Sequence, residues 1–172
     1  TDSANALIYG EFDNNILHFN ADVTIAGKLN LRGTNDYNLF LGDSAGYNIS
    51  TGNANTFIGV ETGNFNTEGY RNVFLGAYAG NANNIGNRNT FLGRAAGVKN
   101  TGGNKNVFLG ENAGFNNSSG SGNVFLGNWT GFDNTLGDSS IFIGYNAGHY
   151  ETASYRLYIE NSSAIGDSAL IY

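Results

Sequence analysis

The chain has 172 residues, no Cys and no Pro, and a formal net charge of −6. No disulfide staples it, no apolar run approaches the ~20 residues of a membrane-spanning helix, and no basic stripe of the kind that neutralises phosphates is visible, which disfavours nucleic-acid binding. Gly numbers 26 without the every-third spacing of collagen, and a hydrophobic fraction of 40% is too high for a disordered tail. Met is absent even from the first position, so the chain is expected to be a processed or excised piece of a longer protein.

Residues 1–33 form a first region, an N-terminal β connector or cap. Leu7-Ile8-Tyr9 and Ile16-Leu17-His18-Phe19 read as short strands around a turn at Asp13-Asn14-Asn15. Val23 to Ala26 and Leu29 to Leu31 alternate apolar with small or polar residues, the period of a half-buried strand, with a bend at Gly27.

Residues 34–153 are a repeat. Phe40, Phe57, Phe74, Phe91, Phe108, Phe125 and Phe142 are each 17 residues apart, with no insertion or deletion between them. Gly follows two and six places after each Phe, and a third Gly column stands at 52, 69, 86, 103, 120 and 137. Unbroken spacing means that every residue of the unit has an assigned place, because a plain loop changes length cheaply. The apolar core of a unit, such as Val73-Phe74-Leu75, is three residues long. A helix is excluded: each Gly would cost roughly 1 kcal/mol in its interior, and the 3.6-residue stripe is missing. A short strand bounded by turns fits, and one unit then makes one coil of an all-β, parallel β-solenoid of seven 17-residue coils.

Stacking coils ~4.8 Å apart places like residues over one another. The Phe residues form a core column. Asn38, Asn55, Asn72, Asn89, Asn106 and Asn123 form a ladder whose amides can bond along the axis, and Asn66, Asn83, Asn100, Asn117 and Asn134 form a second, partial one. Neighbours in a strand point to opposite faces, so Phe108 faces one way and Val107 and Leu109 the other. Two apolar faces predict that both are covered, one inside the coil and one against other copies. This favours a homo-oligomer of three chains side by side, against the alternative of a single-chain solenoid with an exposed aliphatic face.

Residues 154–172 leave the pattern and read as a C-terminal strand segment, a degenerate last coil around Arg156 to Glu160. The 17-residue step places Ile159 in the Phe column and Ser154 in the third Gly column. The end, Asp167-Ser168-Ala169-Leu170-Ile171-Tyr172, nearly repeats the start, Asp2-Ser3-Ala4-Asn5-Ala6-Leu7-Ile8-Tyr9. Leu7, Ile8, Tyr9, Leu170, Ile171 and Tyr172 are therefore expected to form an end-to-end joint in a filament or tandem rod.

The unit Asn-Val-Phe-Leu-Gly-x-x-Ala-Gly resembles the head repeats of trimeric autotransporter adhesins. The resemblance implies a left-handed parallel β-roll, three chains per head, and attachment to host surfaces or matrix. Two features depart from that family: the constant 17-residue period is longer, and Phe replaces a small residue. Leu157 to Ser162 and Leu7 to Asn14 resemble connectors in large secreted fibre proteins of the Bacteroidetes.

Catalysis is not expected. His18 and His149 lie in different regions, and Asp and Glu fill no fixed column, so neither a catalytic pair nor a metal or cofactor site is called for. His149 shares a column with Tyr47, Phe115 and Phe132 and reads as a surface or groove residue. The resulting expectation is a structural, adhesive module of an extracellular or cell-surface fibre. The alternative is a binding face. Tyr47, Phe65, Tyr78, Phe115, Trp129, Phe132 and Tyr145 could stack on a glycan, although their scatter favours packing. Ice is the less favoured ligand, through a column of Ser50, Thr67, Thr101, Ser118, Thr135 and Thr152 broken by Asn84.

Overall fold

The computed structural model describes residues 37–161. The N-terminal strands and both halves of the expected end-to-end joint lie outside that range. Eight three-residue strands run β1 (Leu39–Leu41), β2 (Thr56–Ile58), β3 (Val73–Leu75), β4 (Thr90–Leu92), β5 (Val107–Leu109), β6 (Val124–Leu126), β7 (Ile141–Ile143) and β8 (Leu157–Ile159). They make one parallel sheet in sequence order, with Phe paired to Phe at every step from Phe40 to Phe142. This is the parallel β-solenoid that the period predicts.

Each strand sends its central residue inward and its two neighbours outward. Phe57, Phe74, Phe91, Phe108, Phe125 and Phe142 are fully buried. Their rings stack at 4.7–4.8 Å and within 7° of parallel, so the ring separation is the rise of the coil. Such stacking adds about 0.5–1.5 kcal/mol per pair beyond the area buried. Beside them Ala79, Ala96, Ala113 and Ala147 form a fully buried column of small apolar residues, and the other large, fully buried side chains are amides. Asn55, Asn72, Asn89, Asn106 and Asn123 are fully buried, as are Asn66, Asn83, Asn100, Asn117 and Asn134.

The first Asn column works through the backbone rather than amide to amide. Asn72 Oδ1 accepts the Asn89 N–H at 2.9 Å, and Asn72 Nδ2 donates to the Gly86 carbonyl at 2.8 Å. Gly86 stands at the end of the coil that Asn72 opens and Asn89 opens the next, so one side chain ties the start of a coil to its end and to the coil above. The same pair of bonds recurs from Asn38 to Asn123. The second column does bond amide to amide. Asn100 Nδ2 donates to Asn83 Oδ1 at 2.8 Å, and Asn83 Nδ2 to Asn66 Oδ1 at 3.2 Å. Above them the polarity reverses: Asn117 Nδ2 donates to Asn134 Oδ1 at 3.4 Å, and Asn134 Nδ2 to the Glu151 carbonyl at 3.0 Å. Asn117 Oδ1, at the seam, is buried without a partner among the described residues.

The glycine columns have different reasons. Gly97 has φ +57°, and a Cβ there would lie 2.5 Å from the Phe91 ring. Gly86 has no such φ, but its Cβ would meet the Gly103 carbonyl oxygen at 2.6 Å and crowd Asn83 Oδ1. The second case is a matter of close approach between coils, not of turn conformation.

The last coil corrects the expected spacing. Phe142 pairs with Tyr158, not Ile159, so this coil is one residue short. Ser154 stands over Asp138, whose N–H it accepts through Oγ at 2.9 Å, and not over the third Gly column. Tyr158 lies over Phe142 with centroids 5.3 Å apart and a 34° tilt. Its hydroxyl donates to Glu151 Oε2 at 2.7 Å, where Arg156 Nε also approaches to 3.7 Å. Tyr158 thus covers the Phe stack while its polar end is satisfied from within the same coil.

Candidate functional site

Among the described residues the interior is filled by the coil's own side chains, so the candidate surfaces for another molecule there are the outward columns. Three are distinctive.

The outer face of the sheet is mostly aliphatic, with Thr56 and Thr90 interrupting one row. Leu41, Val73, Leu75, Val107, Leu109, Ile141 and Leu157 are exposed in two parallel rows, with Leu75 and Leu109 each 42% accessible. Parallel sheets normally have both faces covered, and here one is bare. Seven steps of about 4.8 Å make this a straight face ~34 Å long.

The second feature gathers aromatics that look scattered in the sequence. Phe115 stacks on Phe132 at 4.9 Å, and Phe132 on His149 at 5.0 Å, all in one column. Trp129 lies against Phe132 at 4.9 Å and His149 at 6.1 Å, and Tyr150 meets the His149 ring edge-on at 4.5 Å. Lys99 Nζ covers the free end of Phe115 at 5.2 Å from the centroid. Beside them runs a polar track, Lys99 to Asn116 at 2.8 Å and Asn116 to Asp133 at 2.8 Å. Rings that stack along the axis cover one another's faces, and a sugar needs a free face. The cluster is therefore surface packing between coils, and His149 is the half-buried groove residue that its column implies. Tyr47, Phe65 and Tyr145 are exposed and stand apart from it.

The third feature corrects a sequence expectation. A short basic stripe does exist: Arg71, Arg88 and Lys105 occupy one column on three successive coils, each three residues before Phe74, Phe91 and Phe108. All three are exposed and have left-handed backbone, φ 56°, 58° and 58°. Their 17-residue spacing was open to inspection, and counting charges by total instead of by column hides it.

In the column of Ser50, Thr67, Thr101, Ser118, Thr135 and Thr152, the first four hydroxyls are engaged in bonds to the next coil. Ser50, Thr101 and Ser118 donate to the backbone carbonyls of the next coil at 2.9–3.1 Å, and Thr67 donates to Asn84 Oδ1. Among the described residues no group of three or more His, Cys, Asp or Glu could hold a metal ion, and no helix is long and apolar enough to cross a membrane.

No family model, curated protein or solved structure matches the chain. The likeness to adhesin heads thus reaches as far as a parallel β-solenoid of about seven turns.

Proposed function

We propose that the chain is a structural, non-catalytic module of an extracellular fibre. Three copies associate side by side through the aliphatic outer sheet face, and the assembly serves adhesion. The observation that carries this reading is the bare double row from Leu41 to Leu157 on a sheet whose other face is fully packed by the Phe column. A second copy of the same straight, periodic face is the partner that matches it step for step. Each half-exposed Leu or Val that becomes covered contributes on the order of 25 cal/mol per Å² of apolar surface removed from water. The adhesin-like repeat supports the fibre and surface setting, and the near-identical ends of the chain support end-to-end continuation.

Solution mass tests the reading. Light scattering should return three times the 18.2 kDa of one chain. The double variant Leu75→Lys and Leu109→Lys should return one chain's mass with an unchanged far-ultraviolet β signal. A wild-type protein that stays at 18.2 kDa over the whole accessible concentration range rejects the side-by-side assembly.

A further inference from the structure

We infer that the stripe Arg71, Arg88 and Lys105 is a binding site for a linear anionic polysaccharide lying along the rod. This deepens the adhesive part of the proposed function by naming its ligand, and it does not depend on the number of chains.

The geometry of the stripe is fixed by the backbone. Arg71 N–H donates to Asn53 O at 2.9 Å, Arg88 N–H to Tyr70 O at 3.0 Å, and Lys105 N–H to Asn87 O at 2.9 Å. Each residue is thus hydrogen-bonded to the coil below, and the three positions repeat at the coil rise. Neither of the two ion pairs among the described residues involves them: Arg94 pairs with Glu111, and Arg156 with Glu151. The nearest acid in the sequence, Glu68, makes no ion pair with Arg71. Three like charges in register repel one another, and a left-handed backbone is the region that Gly or Asn fills most easily. Nothing in the packing asks for cations here, because the same column holds Ala54, Gly122 and Ser139 on other coils with the same left-handed φ.

The neighbouring columns suit a sugar polymer. Tyr70 lies between the first two cations, with the Arg71 and Arg88 guanidinium carbons 5.8 and 5.9 Å from its ring centroid. It holds their heads on one side of the stripe. Asn87, in the Tyr70 column, accepts the Tyr70 N–H through Oδ1 and keeps its Nδ2 without a partner among the described residues. Val73, Thr90 and Val107 border the other side. The stripe therefore roots its cations on backbone positions at regular steps, with an amide donor beside them and no acid within the row, while the Tyr70 ring is taken up in orienting the two guanidinium groups. A carboxylated or sulfated polysaccharide carries its charges at sugar intervals of similar length along an extended chain. A nucleic acid fits less well. Its charge is denser, three cations over about 10 Å neutralise little of it, and the chain as a whole carries −6.

The test uses the full chain on surfaces bearing a polyuronate such as alginate, a sulfated glycosaminoglycan such as heparin, neutral dextran, or single-stranded oligothymidine. Binding to at least one of the two anionic polysaccharides, weakening with salt, is expected. The triple variant Arg71→Gln, Arg88→Gln, Lys105→Gln should lose about tenfold or more of that affinity. The control Arg94→Gln with Lys99→Gln, which removes two cations outside the stripe, should bind as wild type. All variants should keep the wild-type circular dichroism, since the substituted side chains are exposed. Preference for alginate or for heparin would say whether carboxylate or sulfate is the group read. The proposal is overturned by no binding to either polyanion, by equal losses in the triple variant and the control, or by tighter binding to oligothymidine than to both glycans. Its failure is separable from failure of the assembly reading, because these variants leave the Leu75 and Leu109 face untouched.

Discussion

The inner and outer columns of the coil share one backbone and one rise, yet they obey different rules. Inside, Phe repeats from coil to coil and Asn does so in two columns. Outside, the column that holds Arg71 also holds Ala54 and Ser139, and the column that holds Trp129 also holds Glu61 and Tyr78. Both outer columns have left-handed backbone in every coil, with φ between 51° and 71°. The difference teaches where selection by packing ends. An inward side chain meets its own copy above and below, so its shape is dictated. An outward side chain meets solvent, so the fold tolerates a Trp, an Arg or an Ala at the same φ, and any regularity there needs another cause. The basic stripe is such a regularity.

The comparison breaks most visibly at adjacent residues 93 and 94. Gly93 has φ +134°, and a Cβ would lie 2.5 Å from the Gly110 carbonyl oxygen of the next coil. No side chain can give way there, because the obstacle is backbone. Gly93→Val should therefore abolish cooperative folding or cost more than ~5 kcal/mol, beyond the usual range for one substitution. Arg94→Val loses only an exposed ion pair to Glu111 and should cost less than about 1 kcal/mol. Urea unfolding of the two variants decides the point, and similar midpoints would mean that the coils can part at little cost.

Next in size is the Phe column. Phe91 is fully enclosed between Phe74 and Phe108, with centroids 4.7 and 4.8 Å away. Phe91→Ala should cost ~3–5 kcal/mol if the neighbouring rings cannot collapse into the space. Phe65 is 55% exposed and outside the stack, so Phe65→Ala should cost well under 1 kcal/mol, as surface changes do (within about ±0.5). Equal losses in thermal and urea melts would show that the stack is not the core.

Asn89 and Asn84 give a smaller contrast of the same kind. Asn89 Oδ1 is the acceptor for the buried Asn106 N–H at 2.9 Å. Its Nδ2 donates to Gly103 O at 2.8 Å, but Gly103 O keeps a second donor in Asn100 Nδ2 at 3.1 Å. Asn89→Ala therefore orphans one backbone donor and should cost about 1–3 kcal/mol. Asn84 is exposed, and its side-chain partner is the exposed Thr67 hydroxyl. Asn84→Ala should be nearly neutral, and a comparable loss at both positions would reject the coil-closing role of the inner amide.

Legibility in the sequence follows the same division. The strands, the parallel order, the Phe register and both Asn columns can be read from the 17-residue step, because each depends on a side chain that must fit its own copy. What the Asn residues bond to cannot be read that way. A buried amide can satisfy a neighbouring amide or a backbone, and only the turn at Gly86 to Asn89 decides between them. The two left-handed columns are hard to see because Gly122, Asn112 and Asn146, which signal positive φ, are outnumbered there by residues such as Arg, Tyr, Trp and Glu. The column of Phe115, Phe132 and His149 is legible from the period, but the way Trp129 and Tyr150 join it from other columns is not. At the last coil, extending the period past its end placed Ile159 where Tyr158 sits, since a single deletion leaves no mark when the motif itself has decayed. Tyr for Phe was the available clue.

That decayed coil supplies the smallest prediction, and it concerns pH. Burial of Glu151 pushes its carboxyl up. The Ala153 N–H, the Tyr158 hydroxyl, the Arg156 guanidinium and the Thr152 N–H together outweigh burial and hold it below the ordinary 4.5. The unfolded chain therefore takes up this proton before the folded one does. The carboxylate's contribution is complete above pH 4.5 and is lost as pH falls below it, through the depressed folded value. The effect should be local, because the Glu151 carboxylate ties Tyr158 and Arg156 to the top of the stack, and what reaches the coil below, at Asn134 Nδ2, is its main-chain carbonyl, which does not titrate. Hydrogen-exchange protection of the Tyr155 and Glu160 amides, which bond to Asp138 O and Ile143 O, should decline on acidification before that of Thr90 in the middle of the rod. Glu151→Gln keeps an acceptor for Tyr158 but has nothing to titrate. It should start with lower protection at Tyr155 and Glu160 at neutral pH and show little further loss between pH 5 and pH 3, where the wild type declines. Parallel acid profiles in wild type and variant would place the sensitivity elsewhere than in the Glu151 network.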